Sequence, residues 1–306
     1  MNQKSDSSKT LLYIFMALHV LGAAGTFILS KAAATSFANP LVLTVVRGIG
    51  CAFIFLIFTG WKIPKPDFSL REWFRLLVLG VLLVPLNQYL FLKGLELSVP
   101  GHSALIYAMT PIGVLLLSSI LAGKTPSIQK FAGVFIAFSG VMIILRPWAS
   151  GPQVSELRIG DLWLIAAVFC WVLYTVLASD IIRKKNALMV TSWSLILGVL
   201  VMLPMAVQPI LTFDFSVVST AGWFGLGYMI VMTSSMMMIL WNILLKNLTP
   251  VQVAVTTNAQ PLATTLLVAL GSAAGFLQGN QDLGLMFIIG MVLSLSGIMV
   301  IQKSRD

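Results

Sequence analysis

The stretch GVFIAFSG occupies residues 133–140, and the closely similar stretch GMVLSLSG occupies residues 290–297. The match continues to a methionine two residues beyond each stretch, at Met142 and Met299. The two copies begin 157 residues apart in a chain of 306 residues, which is about half of its length. A repeat with that spacing predicts that the chain consists of two related halves.

Further matches between the halves follow the same order along the chain. An offset of 147 residues aligns the earlier pairs, and an offset of 150 aligns the later ones. The matched pairs are Asn39 with Asn186, Thr44 with Thr191, Trp73 with Trp223, Pro100 with Pro250, Ala104 with Ala254 and Pro111 with Pro261. Small insertions in loops are enough to explain how the offset grows to 157.

The chain is too apolar and too weakly charged for a water-soluble fold. Hydrophobic residues make up 58% of it and charged residues 9%, whereas soluble domains carry roughly 25% charged residues. Ten apolar runs have the length that a helix needs to cross about 30 Å of hydrocarbon. The runs are Leu11–Ser30, Leu41–Gly60, Trp73–Leu92, Ser103–Ala122, Ile128–Leu145, Leu162–Ser179, Leu188–Val207, Trp223–Leu245, Val251–Leu270 and Leu283–Ile301. We therefore predict an all-α membrane protein with ten transmembrane helices.

The ten runs divide into five per half, with the first half at residues 1–148 and the second at residues 149–306. Because five is an odd number, the second copy must enter the membrane from the opposite side. The sequence thus predicts two inverted five-helix repeats, an arrangement from which many secondary transporters are built. The first run resembles a signal peptide, but we expect it to remain part of the fold because its removal would break the repeat.

The distribution of basic residues predicts the orientation of the spans. If the N-terminus is cytoplasmic, 14 of the 19 lysines and arginines lie inside, four lie outside, and Arg47 lies within a span. Basic residues are enriched on the cytoplasmic side of membrane proteins. We therefore expect a multi-pass protein of a bacterial-type inner (plasma) membrane with both termini cytoplasmic. The basic excess then reflects contact with the lipid bilayer and does not indicate a nucleic-acid partner.

Several short elements, repeated in order, are similar to a known family. They are Asn39-Pro40 followed by Arg47, Leu95-Glu96-Leu97-Ser98 leading to Ala104 and Pro111, and the helix endings Ser139-Gly140-Val141 and Ser296-Gly297-Ile298. With this pattern the chain resembles the EamA-type branch of the drug/metabolite transporter superfamily. The resemblance implies that helices 1, 3, 4, 6, 8 and 9 surround a central cavity. It also implies that helices 2, 5, 7 and 10 pack outside them.

Few ionisable side chains are available for chemistry within the membrane. All ten carboxylates fall in loops or at the ends of the apolar runs, whereas a buried carboxylate is the usual proton carrier of an antiporter. His19 lies inside the first run and is the proton-coupling candidate; a neutral histidine bonded to a neighbouring helix is the alternative. Arg47 lies about two turns into the second run, where it could either snorkel to the interface or bind substrate.

Aromatic and polar residues at membrane depth are the candidates for a substrate-binding site. Such groups normally face protein or water rather than lipid. The candidates are Trp171, Tyr174, Gln88, Tyr89, Tyr107, Asn258 and Gln260. Other tryptophans, such as Trp163, lie at span ends as an interfacial belt does. Met229, Met232 and Met236 form a helical stripe that would suit a forgiving pocket. Ordinary packing between helices is the alternative for each residue alone.

Two matched prolines and two faces of small residues suggest how the helices move and pack. Pro111 and Pro261 each remove a backbone donor near the middle of a span, so we interpret them as hinges. The faces Gly133/Ala137/Gly140 and Gly290/Ser294/Gly297 allow helices to approach closely. They indicate either packing within the chain or a subunit interface, so a homodimer is one expectation.

Together these features predict a secondary transporter that moves small organic solutes by alternating access. Export or exchange of amino acids or related metabolites is the leading hypothesis. Uptake or facilitated diffusion of a cationic or aromatic solute, held by Trp171 and Tyr174, is the alternative. An enzyme is not expected, because His19 and His102 lack a mid-membrane acid. No cofactor and no metal site are predicted, since Cys51 and Cys170 lie far apart in apolar runs.

Overall fold

The computed structural model describes residues 2–58, 67–98, 100–146, 148, 159–273 and 284–304, with side-chain positions from residue 10 onward. The predicted boundary between the halves falls next to residues 149–158, outside the described residues. The predicted end of the second run at Gly60 and the predicted start of the tenth run at Leu283 also lie outside the described residues, as do the basic residues Lys62, Lys65, Arg158 and Arg305.

The described residues form helices joined by short connections, with no strand among them. Ten of these helices are long and apolar enough to cross a membrane, which confirms the predicted all-α membrane fold. They are α1 (Thr10–Phe37), α2 (Pro40–Ile57), α3 (Leu70–Leu97), α4 (His102–Ala122), α5 (Ile128–Leu145), α6 (Ile159–Lys184), α7 (Ala187–Thr212), α8 (Thr220–Asn247), α9 (Pro250–Leu270) and α10 (Leu285–Lys303).

Several helices extend beyond the apolar runs because polar residues cap their first turns. Ser69 precedes α3, where its hydroxyl accepts the Glu72 N–H at 3.3 Å and its own N–H donates to the Glu72 carboxylate at 2.8 Å. Thr249 and Gln252 form the same reciprocal pair at the start of α9. Such capping boxes satisfy backbone donors that the first helical turn leaves unpaired, so a helix can begin before its apolar stretch.

Contacts between the halves occur in matched pairs. Helix α1 packs on α8, and the equivalent helices α6 and α3 pack on each other. Likewise α1 packs on α9, as α6 packs on α4. The remaining equivalent helices meet directly, α2 with α7 and α5 with α10. With five spans in each copy, this exchange of partners is the arrangement of two inverted five-helix repeats.

Helices α5 and α10 are in closest contact where the repeated glycines lie. A methyl group added at Gly140 would come within 2.6 Å of the Gly290 carbonyl oxygen and 2.8 Å of Ser294 Cα. A methyl group at Gly297 would come within 2.5 Å of the Gly133 carbonyl oxygen. The two small-residue faces therefore pack against each other within one chain. Because these faces are covered within the chain, they cannot form a subunit interface, and they no longer support the expected homodimer.

Irregular turns interrupt equivalent helices of the two halves. A π-helical segment spans Leu82–Gln88 in α3, and another spans Met229–Met236 in α8. Helix α4 is interrupted at Met109, immediately before Thr110 and Pro111, and α9 tightens into a 3₁₀ turn over Val255–Ala259, before Gln260 and Pro261. The prolines explain the breaks, because each lacks the N–H that would continue the helical ladder. Their role as hinges stays a prediction.

The glycine contact between α5 and α10 gives a direct test of this packing. Gly140→Ala should destabilise the protein by about 1–3 kcal/mol, since the added methyl group meets backbone atoms that cannot move aside. Thermal unfolding of the purified protein in detergent measures the effect. Gly227→Ala in α8 is the matched control, because nothing lies within 4 Å of the added methyl group. Equal melting temperatures for the two variants would contradict the close packing.

Candidate functional site: a central cavity

A cavity lies near the midpoints of the helices, between the two halves. The empty space between its lining residues is about 810 Å³, and this figure includes the part that opens to the outside. Its lining comes from α1, α3, α4, α6, α8 and α9, with one side chain from α2. The family resemblance implied that α1, α3, α4, α6, α8 and α9 surround the cavity, but it placed α2 outside this ring. Arg47 of α2 reaches the cavity nevertheless.

Five of the residues that the sequence singles out line this cavity: His19, Gln88, Tyr107, Trp171 and Gln260. They come from five different helices, and they are brought together because each lies near the inner face of its own half. Their roles in binding or coupling stay predictions.

Three other candidates are not part of the lining. Tyr174 is fully buried behind Trp171, with ring centroids 5.5 Å apart, and its hydroxyl accepts a hydrogen bond from Asn242 Nδ2 at 3.1 Å. Tyr89 packs into the apolar core one residue past the π-helical segment of α3. Asn258 is fully buried in the 3₁₀ turn of α9, where its backbone carbonyl accepts a hydrogen bond from Ser294 of α10.

Tyr89 and Asn258 miss the cavity because the backbone at or just before them is irregular. Tyr174 lies in a regular helix, where Trp171 and Asn242 cover it. Sequence spacing assumes 3.6 residues per turn, whereas π-helical and 3₁₀ turns rotate the following side chains onto another face. The methionine stripe fails for the same reason. Met229 is fully buried, and Met237 and Met238 line the cavity in its place.

Two groups of aromatic rings form walls of the cavity. In one group the Trp241 ring lies 5.3 Å from His19 and 5.1 Å from Trp171, centroid to centroid. In the other group the rings of Phe27 and Phe91 approach Tyr107 edge-on, at 5.8 Å and 5.3 Å. Flat aromatic faces provide large apolar contact with little loss of side-chain entropy, so these walls suit a solute with an apolar or planar part.

The π-helical segments of α3 and α8 each bring a polar group into the cavity. Asn87 in α3 donates to the Ala167 carbonyl of α6 at 2.8 Å and to the Tyr107 hydroxyl at 3.2 Å. Ser234 in α8 accepts a hydrogen bond from Arg47 Nε at 2.5 Å. Irregular backbone at membrane depth is tolerated where it lines a cavity, and here it carries the residues that cross-link the helices.

Arg47 is the residue whose position the sequence did not decide. Its side chain is only 4% exposed, so snorkelling to the interface does not describe it. Its Nη1 atom has no hydrogen-bond partner among the described residues. The signal that could have located it is general: an ionisable residue within a span faces the protein interior unless it lies at the very end.

A second polar cluster joins helices at the end of the bundle where α3 finishes and α6 begins. Asp161 is 2% exposed, accepts a hydrogen bond from the Ser98 hydroxyl, and lies 2.8 Å from Nδ1 of His102. Lys31 of α1 donates to the final carbonyls of α3, including that of Ser98 at 2.9 Å. The sequence indicated correctly that this carboxylate is near a helix end. It did not reveal the burial, which depends on three neighbouring helices.

The buried Asp161 should matter more for stability than the exposed Asp180 at the other end of the same helix. Asp161→Ala removes the buried carboxylate that His102 and Ser98 contact, at a cost of about 3–5 kcal/mol for breaking a buried pair. Asp180→Ala should stay within about 0.5 kcal/mol, as exposed substitutions usually do. Thermal unfolding of both variants in detergent measures the difference. Similar melting temperatures would show that the cluster does not hold the helices together.

Comparison with known proteins adds an independent line of evidence. The sequence model of the EamA-like transporter family matches this chain twice, at residues 10–146 and 158–302. The transporter YyaM of Bacillus subtilis is 23% identical over 295 residues, covering 95% of each chain. A transporter of Archaeoglobus fulgidus is 27% identical over 302 residues, covering 95% of this chain and 96% of the relative.

A solved crystal structure shares the fold. It matches this chain with a TM-score of 0.68 at 18% sequence identity, over 95% of this chain and 96% of its own. At that level of identity the likeness concerns the architecture alone.

Proposed function

This chain belongs to the EamA-like transporter family, and we propose that it exports or exchanges amino acids or related metabolites across an inner membrane. The observation that carries the proposal is the central cavity. It lies between two inverted repeats, near the midpoints of the helices, and combines aromatic walls with hydrogen-bonding groups. Inverted-repeat transporters bind their substrates at the corresponding place.

Alternating access is supported by a difference between the two ends of the same helices. At one end, α3, α4 and α6 are joined through Ser98, His102 and Asp161. At the opposite end, a cleft lies between α3, α4, α6 and the start of α9, with Arg75 and Asp180 in its lining. In an alternating-access transporter, each of the two states is expected to be closed at one end of the bundle and open at the other.

The helix-end contacts also have counterparts in the two repeats. Lys31 at the end of α1 donates to the Ser98 carbonyl at the end of α3. Arg183 at the end of α6 donates to the Leu248 carbonyl, just after α8, at 3.0 Å. The two pairs lie at opposite ends of the bundle, and both are formed in this structure. By the positive-inside rule, the Arg183 end and both termini are cytoplasmic.

The alternative substrate class, a cationic solute, is disfavoured by the charge in the cavity. Arg47 keeps its positive charge at any physiological pH, and no aspartate or glutamate is among the described residues of the lining. A cation would therefore meet repulsion in a region of low dielectric constant. Uptake of an uncharged aromatic solute is compatible with the same walls.

Trp171 provides the test of the binding site. Trp171→Ala should weaken substrate binding at least about tenfold, because the cavity loses one face of an aromatic wall. The measurement is counterflow exchange in proteoliposomes, with a panel of radiolabelled amino acids and related metabolites. Trp163→Ala is the matched control on the same helix, since Trp163 is exposed at the surface of the bundle and should leave exchange unchanged.

Comparable losses from the two tryptophan variants would show that the cavity is not the binding site. If wild-type protein exchanged none of the panel, the proposed function itself would be wrong.

His19 provides the test of proton coupling. Its imidazole is 5% exposed and lines the cavity, and its Nδ1 atom has no hydrogen-bond partner in the part of the chain that the structure describes. Histidine is the side chain that exchanges protons near neutral pH. His19→Ala should therefore abolish any response of transport to a pH gradient and leave counterflow exchange intact. Full proton coupling in this variant would transfer the role to a helix-end acid such as Asp180.

A further inference from the structure

Arg47 is an ionised side chain in a place where an unpaired charge is costly. It lies within the second membrane helix, 4% exposed, and its guanidinium lines the central cavity. Transferring a charged group out of water costs several kcal/mol unless other groups compensate it, as estimated for buried ions. Since arginine does not lose its proton in proteins, the compensation must come from a partner.

The protein supplies only part of that compensation. Arg47 Nε donates to the Ser234 hydroxyl at 2.5 Å, and Ser234 is a neutral acceptor. Nη1 has no partner among the described residues. The lining contains no described aspartate or glutamate that could neutralise the charge. The guanidinium is therefore held on one edge, and its buried Nη1 donors are unused beside the cavity.

The contact with α8 holds the guanidinium in a defined position. Ser234 lies within the π-helical segment of α8, against which α2 packs. Cys51, one turn after Arg47 on α2, donates through Sγ to the Ser234 backbone carbonyl at 3.2 Å. An arginine fixed in this way is pre-organised to bind a carboxylate through two parallel hydrogen bonds.

The rest of the cavity fits the remainder of such a solute. Gln88 presents a buried Oε1 acceptor that has no partner among the described residues, and an amine or N–H group would satisfy it. The rings of Trp171 and Trp241 offer an apolar face. One donor and one acceptor without partners, beside an aromatic wall, complement a molecule with a carboxylate, an amine and an apolar side chain.

From this arrangement we propose that the transported solutes are small carboxylates, α-amino acids with apolar side chains above all, and that Arg47 is the anchor for the carboxylate. This inference rests on the proposed transport function and names the substrate class of its cavity. It assigns Ser234 as the residue that positions the guanidinium.

The experiment compares solutes that differ only in the carboxylate. Phenylalanine, leucine and phenylpropionate are paired with phenylalaninamide, leucinamide and phenylpropionamide, and binding is measured by the shift in melting temperature and by competition in counterflow exchange. Wild-type protein should prefer each carboxylate over its amide by about tenfold or more, as a charged hydrogen bond predicts. This comparison needs no variant, so it remains informative if a substitution at Arg47 prevents folding.

Variants then assign the preference to a residue. Arg47→Gln should remove it, and Arg47→Lys, which keeps the charge without the two-pronged geometry, should retain part of it. Ser234→Ala should weaken carboxylate binding less than Arg47→Gln does. Ile49→Ala is the matched control, because Ile49 lies on the same helix, is 48% exposed and does not line the cavity; it should leave the preference unchanged.

The outcomes separate this inference from the proposed function. Exchange of amides as efficiently as carboxylates, or an unchanged preference in Arg47→Gln, would overturn the carboxylate anchor and leave transport standing. Exchange of no solute from either series, together with none in a wider panel of neutral metabolites, would overturn both.

Discussion

Hydrocarbon offers no hydrogen-bond partners to a polypeptide backbone, and the architecture of this protein follows from that constraint. Ten helices satisfy their own backbone groups and account for the membrane-crossing parts of the described chain. Departures from regular helix occur in two matched pairs of helices, α3 with α8 and α4 with α9, and at Gly25 in α1. These five helices line the cavity, so irregular backbone is found where neighbouring side chains or a polar space can satisfy it.

The irregular turns determine which polar side chains reach the space between the halves. A π-helical turn rotates the helix face that follows it, and in α3 and α8 this brings Asn87 and Ser234 toward the space between the halves. Each then bonds to a residue on another helix, Asn87 to α6 and Ser234 to Arg47 of α2. The π-helical turn of α8, which would destabilise a lipid-facing helix, thus helps to hold a charged side chain at membrane depth.

Backbones of the two halves are in contact at several glycines. In α5 and α10 the contacts lie at Gly140 and Gly297, and in α3 and α7 they lie where Gly80 meets Gly198. Close-packed surfaces of this kind transmit strain and do not deform. We therefore expect the helices to move as rigid bodies in the transport cycle proposed above.

The sequence by itself determined the number of spans, their repeat and the family resemblance. Those features depend on local composition and on the doubled motif around Gly140 and Gly297, and both can be read without coordinates. The tertiary structure alone decided which side chains meet. Tyr174 and Asn258 have the right depth but face neighbouring helices, whereas Arg47 comes from a helix that was expected outside the ring. Asp161 sits at a helix end yet is buried by Ser98 and His102. The physical reason is that hydropathy and periodicity report the depth and the average face of a residue. The rotation of each helix depends on π-helical and 3₁₀ turns and on contacts between distant segments.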